Sequence, residues 1–128
     1  MKVSLDTGTA SHLIKAYGAG SIQVNETVYD RDLIVMPESI ESEWVSAPIA
    51  ELTADHFAAV HDYAPEILLL GTGRRQIFPP ARIMAELGRQ GMGLEVMDTA
   101  AACRTYNVLM SEDRRVAAAL MMIESEDG

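Results

Sequence analysis

Cysteine is almost missing from this chain: Cys103 is the only one in 128 residues. No intramolecular disulfide can form, so stability has to come from packing, and a lone thiol cannot build a cysteine-rich metal site. Long apolar runs are missing as well. The longest, Val116 to Ile123, has eight residues, under half of what a membrane-spanning helix needs. The opening Met1-Lys2-Val3-Ser4-Leu5-Asp6 meets an acid before an apolar stretch of signal-peptide length develops. Together these absences predict a cytoplasmic chain without membrane insertion.

Basic charge is the third scarcity. Ten Lys and Arg stand against nineteen Asp and Glu, a formal charge of −9, which opposes the counterion release that draws basic proteins to nucleic acid. No nucleic-acid partner is expected. The imbalance is uneven: residues 1–73 hold three basic and eleven acidic side chains, residues 74–128 seven and eight. Any small anion is therefore expected to bind in the second half.

What is present fits one globular domain over 1–128. Apolar residues make up 48% and charged residues 23%, ordinary globular usage, and a chain of this length hides roughly two thirds of its unfolded surface. Residues 1–48 form a β-rich part, with strands around His12–Tyr17, Ser21–Val24 and Leu33–Met36 and a turn at Asn25-Glu26. Gly18-Ala19-Gly20 allows a tight reversal, and Pro37 ends the last strand. A linker runs through Ser46-Ala47-Pro48.

Residues 49–123 read as α/β. Thr53 is the expected N-cap of a helix over Ala54 to Tyr63, with Phe57, Val60 and Ala64 near one face. The apolar run Glu66 to Leu70 reads as a strand buried on both faces. Pro79-Pro80 opens a helix with Ile83, Met84 and Leu87 as its apolar stripe, stopped by Gly91. A strand over Gly93 to Met97 follows, then a helix capped by Asp98 or Thr99 and running to Met110, then a last strand over Val116 to Ile123. Residues 124–128 are an acidic tail, too polar for the core. Alternation of strand and helix predicts a three-layer α/β/α domain with a mostly parallel central sheet, plus the N-terminal antiparallel β element. Ligands of such sheets bind beyond the carboxyl ends of the strands.

Several segments carry a resemblance in fixed order: Leu70-Gly71-Thr72-Gly73, Glu95-Val96-Met97-Asp98-Thr99, Ala101 to Leu109 with Cys103-Arg104-Thr105-Tyr106-Asn107 at its centre, and Val116 to Leu120. Over Ile67 to Leu120 the chain resembles the Mth938-like domain family of unknown function, whose relatives include a mitochondrial complex I assembly factor. Tyr29 to Leu33 and Trp44 fit it more loosely, and Asp113 stands where the family pattern has glycine. The resemblance implies a three-layer α/β domain with an extra β element, no established catalysis, and a role in assembling a respiratory complex with protein partners.

The expected binding crevice comprises Gly71, Thr72, Gly73, Arg74, Asp98, Thr99 and Arg104. Gly71-Thr72-Gly73 lacks the Gly-x-Gly-x-x-Gly spacing and opens no helix, so a tight turn is preferred over a phosphate cradle. Arg74-Arg75 could hold a carboxylate or phosphate, although solvated surface arginines are commoner. Asp98 and Thr99 are better explained as helix caps than as a general base. Cys103 beside Arg104 suggests an activated thiol, but no histidine lies near in sequence and a buried core cysteine is preferred. Tyr106 and Asn107 are expected to orient neighbours, the mid-helix Asn107 through a tertiary partner. His56 and His61, five apart, do not form an i, i+4 metal pair, so no metal or cofactor is expected. A non-catalytic binding or assembly module is therefore favoured. The alternative is a small enzyme using Asp98, Cys103 and Arg104 on an anionic substrate. Self-association through Met84, Met92, Met110, Met121 and Met122 is a third possibility.

Overall fold

Side chains of a strand alternate between two faces, and in this protein the alternation sorts the core into two. The computed structural model describes residues 11–44 and 46–125; the readings made for Met1 to Asp6 and for residues 126–128 of the tail fall outside them. Three strands, β1 (Ile14–Gly18), β2 (Ser21–Val24) and β3 (Thr27–Tyr29), form an antiparallel sheet in the order β1-β2-β3. Its first reversal uses Gly20 at φ +77° and its second Asn25 at φ +50°, left-handed positions that these two residue types tolerate.

The second sheet comprises β4 (Leu33–Met36), β5 (Ser39–Glu41), β6 (Ile67–Thr72), β7 (Gly93–Met97) and β8 (Val116–Met121), in the order β5-β4-β8-β6-β7. As expected, β8, β6 and β7 are parallel neighbours. The sheet as a whole is mixed rather than mostly parallel, because β4 pairs antiparallel with both β8 and β5. All four residues of β4 are buried, and that apolar run finds two-sided cover only inside the large sheet. Strand β7 lies at the edge and is not covered on both faces: Leu94 and Val96 are buried while Glu95 is exposed.

On one face, Ile34, Leu68, Leu70, Ala117 and Ala119 pack under Phe57, Val60, Ile83 and Leu87. On the other, Leu33, Val35, Leu69, Ala118 and Leu120 pack under Ile14, Ile22, Val24, Ala102, Cys103 and Tyr106. The helices α1 (Ala81–Arg89) and α2 (Thr99–Ser111) thus cover opposite faces. Three expectations need correction here. The helix expected over Ala54 to Tyr63 is a 3₁₀ segment, Ala54–Val60, because Phe57 leaves helical geometry at φ −105°, ψ 17° to reach the core and Trp44. Ala64, at φ +52°, turns out into solvent, and Met84 sits on the margin of the α1 stripe, 39% exposed.

Candidate functional site

The carboxyl ends of β6, β7 and β8 meet the start of α2, and glycine makes the approach possible. A Cβ on Gly71 would lie 2.9 Å from Thr99 Cα and 3.2 Å from Ala102 Cβ, so α2 rests directly on the β6 backbone. Asp98 is the N-cap, its Oδ1 accepting the Ala101 N–H at 2.8 Å. Thr99 belongs to the first turn rather than the cap and is fully buried. Its N–H donates to the Gly73 carbonyl, and its Oγ1 accepts the Gly73 N–H at 2.8 Å while donating to the Met121 carbonyl at 2.7 Å. One hydroxyl therefore ties β6, β8 and α2 together.

The loop after β6 is tightened by a second threonine. Thr72 Oγ1 donates to the Arg75 carbonyl and accepts the Ile77 N–H at 3.0 Å, while Gln76 Nε2 reaches the Val96 carbonyl at 3.0 Å. Gly73 takes φ +90°, and Glu124 Oε1 accepts the Arg74 N–H at 2.7 Å. The Glu124 carboxyl is held below the usual carboxylate range, first by that hydrogen bond and further by the charges of Arg74 and Arg75. An ionised carboxylate of the chain itself thus occupies the backbone donor of the loop after β6. Nothing in the sequence singled out Glu124 from its acidic tail.

Gly71, Thr72, Gly73, the Arg74 backbone, Asp98 and Thr99 therefore come together at this end. Arg104, on the exposed side of α2, points its Nη1 to Tyr17 Oη at 3.0 Å and is linked to β1. Cys103 beside it faces the core with no exposed surface, and burial pushes its thiol up to about 12, against a smaller opposing effect of Arg104. The protonated, buried thiol is a poor nucleophile. Native protein at neutral pH is expected to react with an aromatic disulfide reagent only as fast as the domain opens, at least about a hundredfold slower than urea-unfolded chain; comparable rates for the two would show an accessible thiolate.

Tyr106 and Asn107 have the tertiary partners expected of them. Tyr106 Oη donates to the His12 carbonyl at 2.8 Å, and the Asn107 amide pairs with both backbone groups of Ile14, at 3.0 and 2.8 Å. Asn107 thereby stands in for a neighbouring strand along the edge of β1. His56 accepts the Thr53 N–H at 2.9 Å. Among the described residues no three of His, Cys, Asp and Glu are grouped to hold a metal ion. At the opposite end of β6 and β8 a groove of about 360 Å³ is lined by Tyr63, Arg114 and Arg115, with the Arg115 guanidinium 4.5 Å from the Tyr63 ring centre. Its sequence signal is the second arginine doublet, Arg114-Arg115.

A model of a family of proteins of unknown function, DUF498/DUF598, matches residues 14–121. A "13 kDa major membrane protein" of Francisella tularensis is 31% identical over 104 residues, covering 80% of this chain and 85% of that protein. NADH dehydrogenase [ubiquinone] 1 alpha subcomplex assembly factor 3 of Danio rerio is 31% identical over 115 residues, covering 88% of this chain and 66% of that longer protein. The solution structure of a Bordetella pertussis protein described as a Mth938-like domain superimposes with a TM-score of 0.78 at 35% identity, covering 99% of this chain and 96% of that one.

Proposed function

The chain belongs to the DUF498/DUF598 family of proteins of unknown function, and from that premise we propose that it is a non-catalytic binding or assembly module for protein partners. In this reading the domain is three layers deep, and its recognition site is the crevice of Gly71, Thr72, Gly73, Arg74, Asp98, Thr99 and Arg104. One observation carries the preference for binding over catalysis: two of the three groups an enzyme would use, the Cys103 thiol and the Asp98 carboxylate, are already committed. The thiol of Cys103 is sealed in the core and Asp98 caps α2, whereas the Arg74 and Arg75 side chains, both exposed, make no ion pair among the described residues. Exposed guanidiniums at the end of a parallel strand pair suit a carboxylate-bearing partner.

The assembly part of the reading comes from relatives named as assembly factor 3 of the NADH dehydrogenase alpha subcomplex, of which this chain spans about two thirds or less. A cytoplasmic location belongs to it too. No helix among the described residues is long and apolar enough to cross a membrane, while the Francisella relative is named a membrane protein. The test is affinity capture from the native host, with the tagged chain as bait, alongside fractionation. Co-enrichment of respiratory NADH dehydrogenase subunits or their assembly intermediates supports the assembly role. Turnover of a small substrate that disappears in Asp98→Asn with the fold intact overturns it in favour of the enzyme.

A further inference from the structure

Five consecutive exposed residues, Arg74-Arg75-Gln76-Ile77-Phe78, form the loop that leaves β6. Phe78 is 62% exposed and Ile77 47%. Aromatic and arginine side chains are the residues that anchor interfaces, and this loop presents both beside one another. A groove of about 230 Å³, lined by Val28, Tyr29, Asp30, Arg31, Ser42 and Glu43, has the opposite character. It carries two carboxylates against one guanidinium, Arg31, which lies 3.8 Å from Asp30 in an exposed pair and leaves the groove one negative charge in excess, has the exposed Val28 for an apolar contact, and has room for an aromatic ring.

Loop and groove lie at the same end of the central sheet. Leu33, at the start of β4, pairs with Leu120 near the end of β8, and the Asp32 carboxylate accepts the Met122 N–H at 2.8 Å. The groove residues therefore flank the carboxyl end of β8 on its β4–β5 side. The loop leaves β6 on the other side of β8, where Glu124 receives the Arg74 N–H. At about 4.8 Å per strand the two features are on the order of 10–15 Å apart.

We propose that this end of the molecule is a self-association surface. Two copies pair about a two-fold axis near the end of β8, and the Phe78 loop of each enters the Asp30 and Glu43 groove of the other. A half-turn about such an axis exchanges the left and right sides of the face, so both contacts form at once and the assembly closes as a dimer. Charge selects this occupant: Arg74 and Arg75 meet Asp30 and Glu43, whereas loop against loop would set four guanidiniums together. The inference shares Arg74 and Arg75 with the partner-binding reading, whereas Arg104, hydrogen-bonded to Tyr17, enters that reading alone.

Sedimentation velocity of the full chain across a range of concentration and salt tests it. The expected result is a dimer that weakens with added salt and whose dissociation constant rises at least about tenfold in Phe78→Ser, as for an interface anchor. Two charge-swapped chains give the sharper test, one with Arg74→Glu and Arg75→Glu, the other with Asp30→Arg and Glu43→Arg. Each alone is expected to be monomeric, and their mixture to dimerise, because both contacts are restored in the heterodimer. All these positions are on the surface; if a swapped chain fails to fold by circular dichroism, Phe78→Ser decides. A wild-type monomer at every concentration overturns the proposal and leaves the loop to a different protein or to a membrane surface. A dimer undiminished by Phe78→Ser, or by either folded swap alone, also overturns it.

Discussion

Gly71→Ala is expected to lower the stability of the domain by about 3 kcal/mol, at the upper end of overpacking costs. The reason is where the new methyl would go. It would sit 2.9 Å from both Cα and Oγ1 of Thr99 and 3.2 Å from Ala102 Cβ, and a backbone atom of a helix cannot step aside as a flexible side chain can. Helix α2 would have to lift off β6, yet it is also held two turns further along by the Tyr106 and Asn107 hydrogen bonds to His12 and Ile14. In thermal unfolding the loss corresponds to a midpoint lower by on the order of 10 °C. Gly18→Ala is the control, because a Cβ there meets nothing within 4 Å; it is expected to change stability by less than about 1 kcal/mol. Equal small shifts for the two variants would show that α2 does not depend on the bare β6 backbone.

Thr99→Val is expected to cost about 2 to 4 kcal/mol in urea unfolding, although it changes the shape of the side chain very little. The hydroxyl it removes serves two backbone groups at once, accepting from Gly73 N–H and donating to the Met121 carbonyl. Each buried group left without a partner costs about 1–3 kcal/mol. Thr99→Ser keeps the hydroxyl and is expected to lose about 1 kcal/mol, the value of a buried methyl group. Amide exchange at Gly73 is expected to quicken in the Val variant and not in the Ser variant. A Val variant within about 0.5 kcal/mol of wild type, the usual range for neutral surface changes, would mean that water replaces the hydroxyl.

The contrast between Asp98 and Thr99 shows what the sequence could tell. A short acid before an apolar-periodic segment is a local signal, so the cap at Asp98 was legible. The service Thr99 gives to Gly73 and Met121 was not, because it links residues 26 and 22 positions away. The same division runs through the fold. Strands β4, β6 and β8 announced themselves by apolar runs between turn residues, and β2 and β7 by alternating apolar positions. Strands β3 and β5 have three residues each, none of them buried, and carry no such pattern.

Strand direction was harder still. Leu33–Met36 reads the same whether it pairs parallel or antiparallel, and only its register with β8 sets the mixed sheet. The 3₁₀ geometry of Ala54–Val60 arises because Phe57 has to reach Trp44, 5.8 Å between ring centres, a demand that helical periodicity cannot anticipate. Asn107 was a partial success: a polar residue in mid-helix implied a tertiary partner, and Ile14 is that partner. Glu124 was illegible, since one carboxylate in an acidic run looks like any other until the chain brings it to the Arg74 N–H.

The most direct test of the binding reading is the retention of captured partners by Arg104→Ala compared with wild type, with thermal stability measured on the same preparations. Arg104 lies on the exposed side of α2, and its described hydrogen bond is to Tyr17, so its loss is expected to change stability by no more than about 1 kcal/mol. Partner binding is expected to fall at least about tenfold, the effect of losing an arginine anchor. Undiminished binding, or an Arg104→Ala chain that unfolds, would contradict the account and make Arg104 a structural residue.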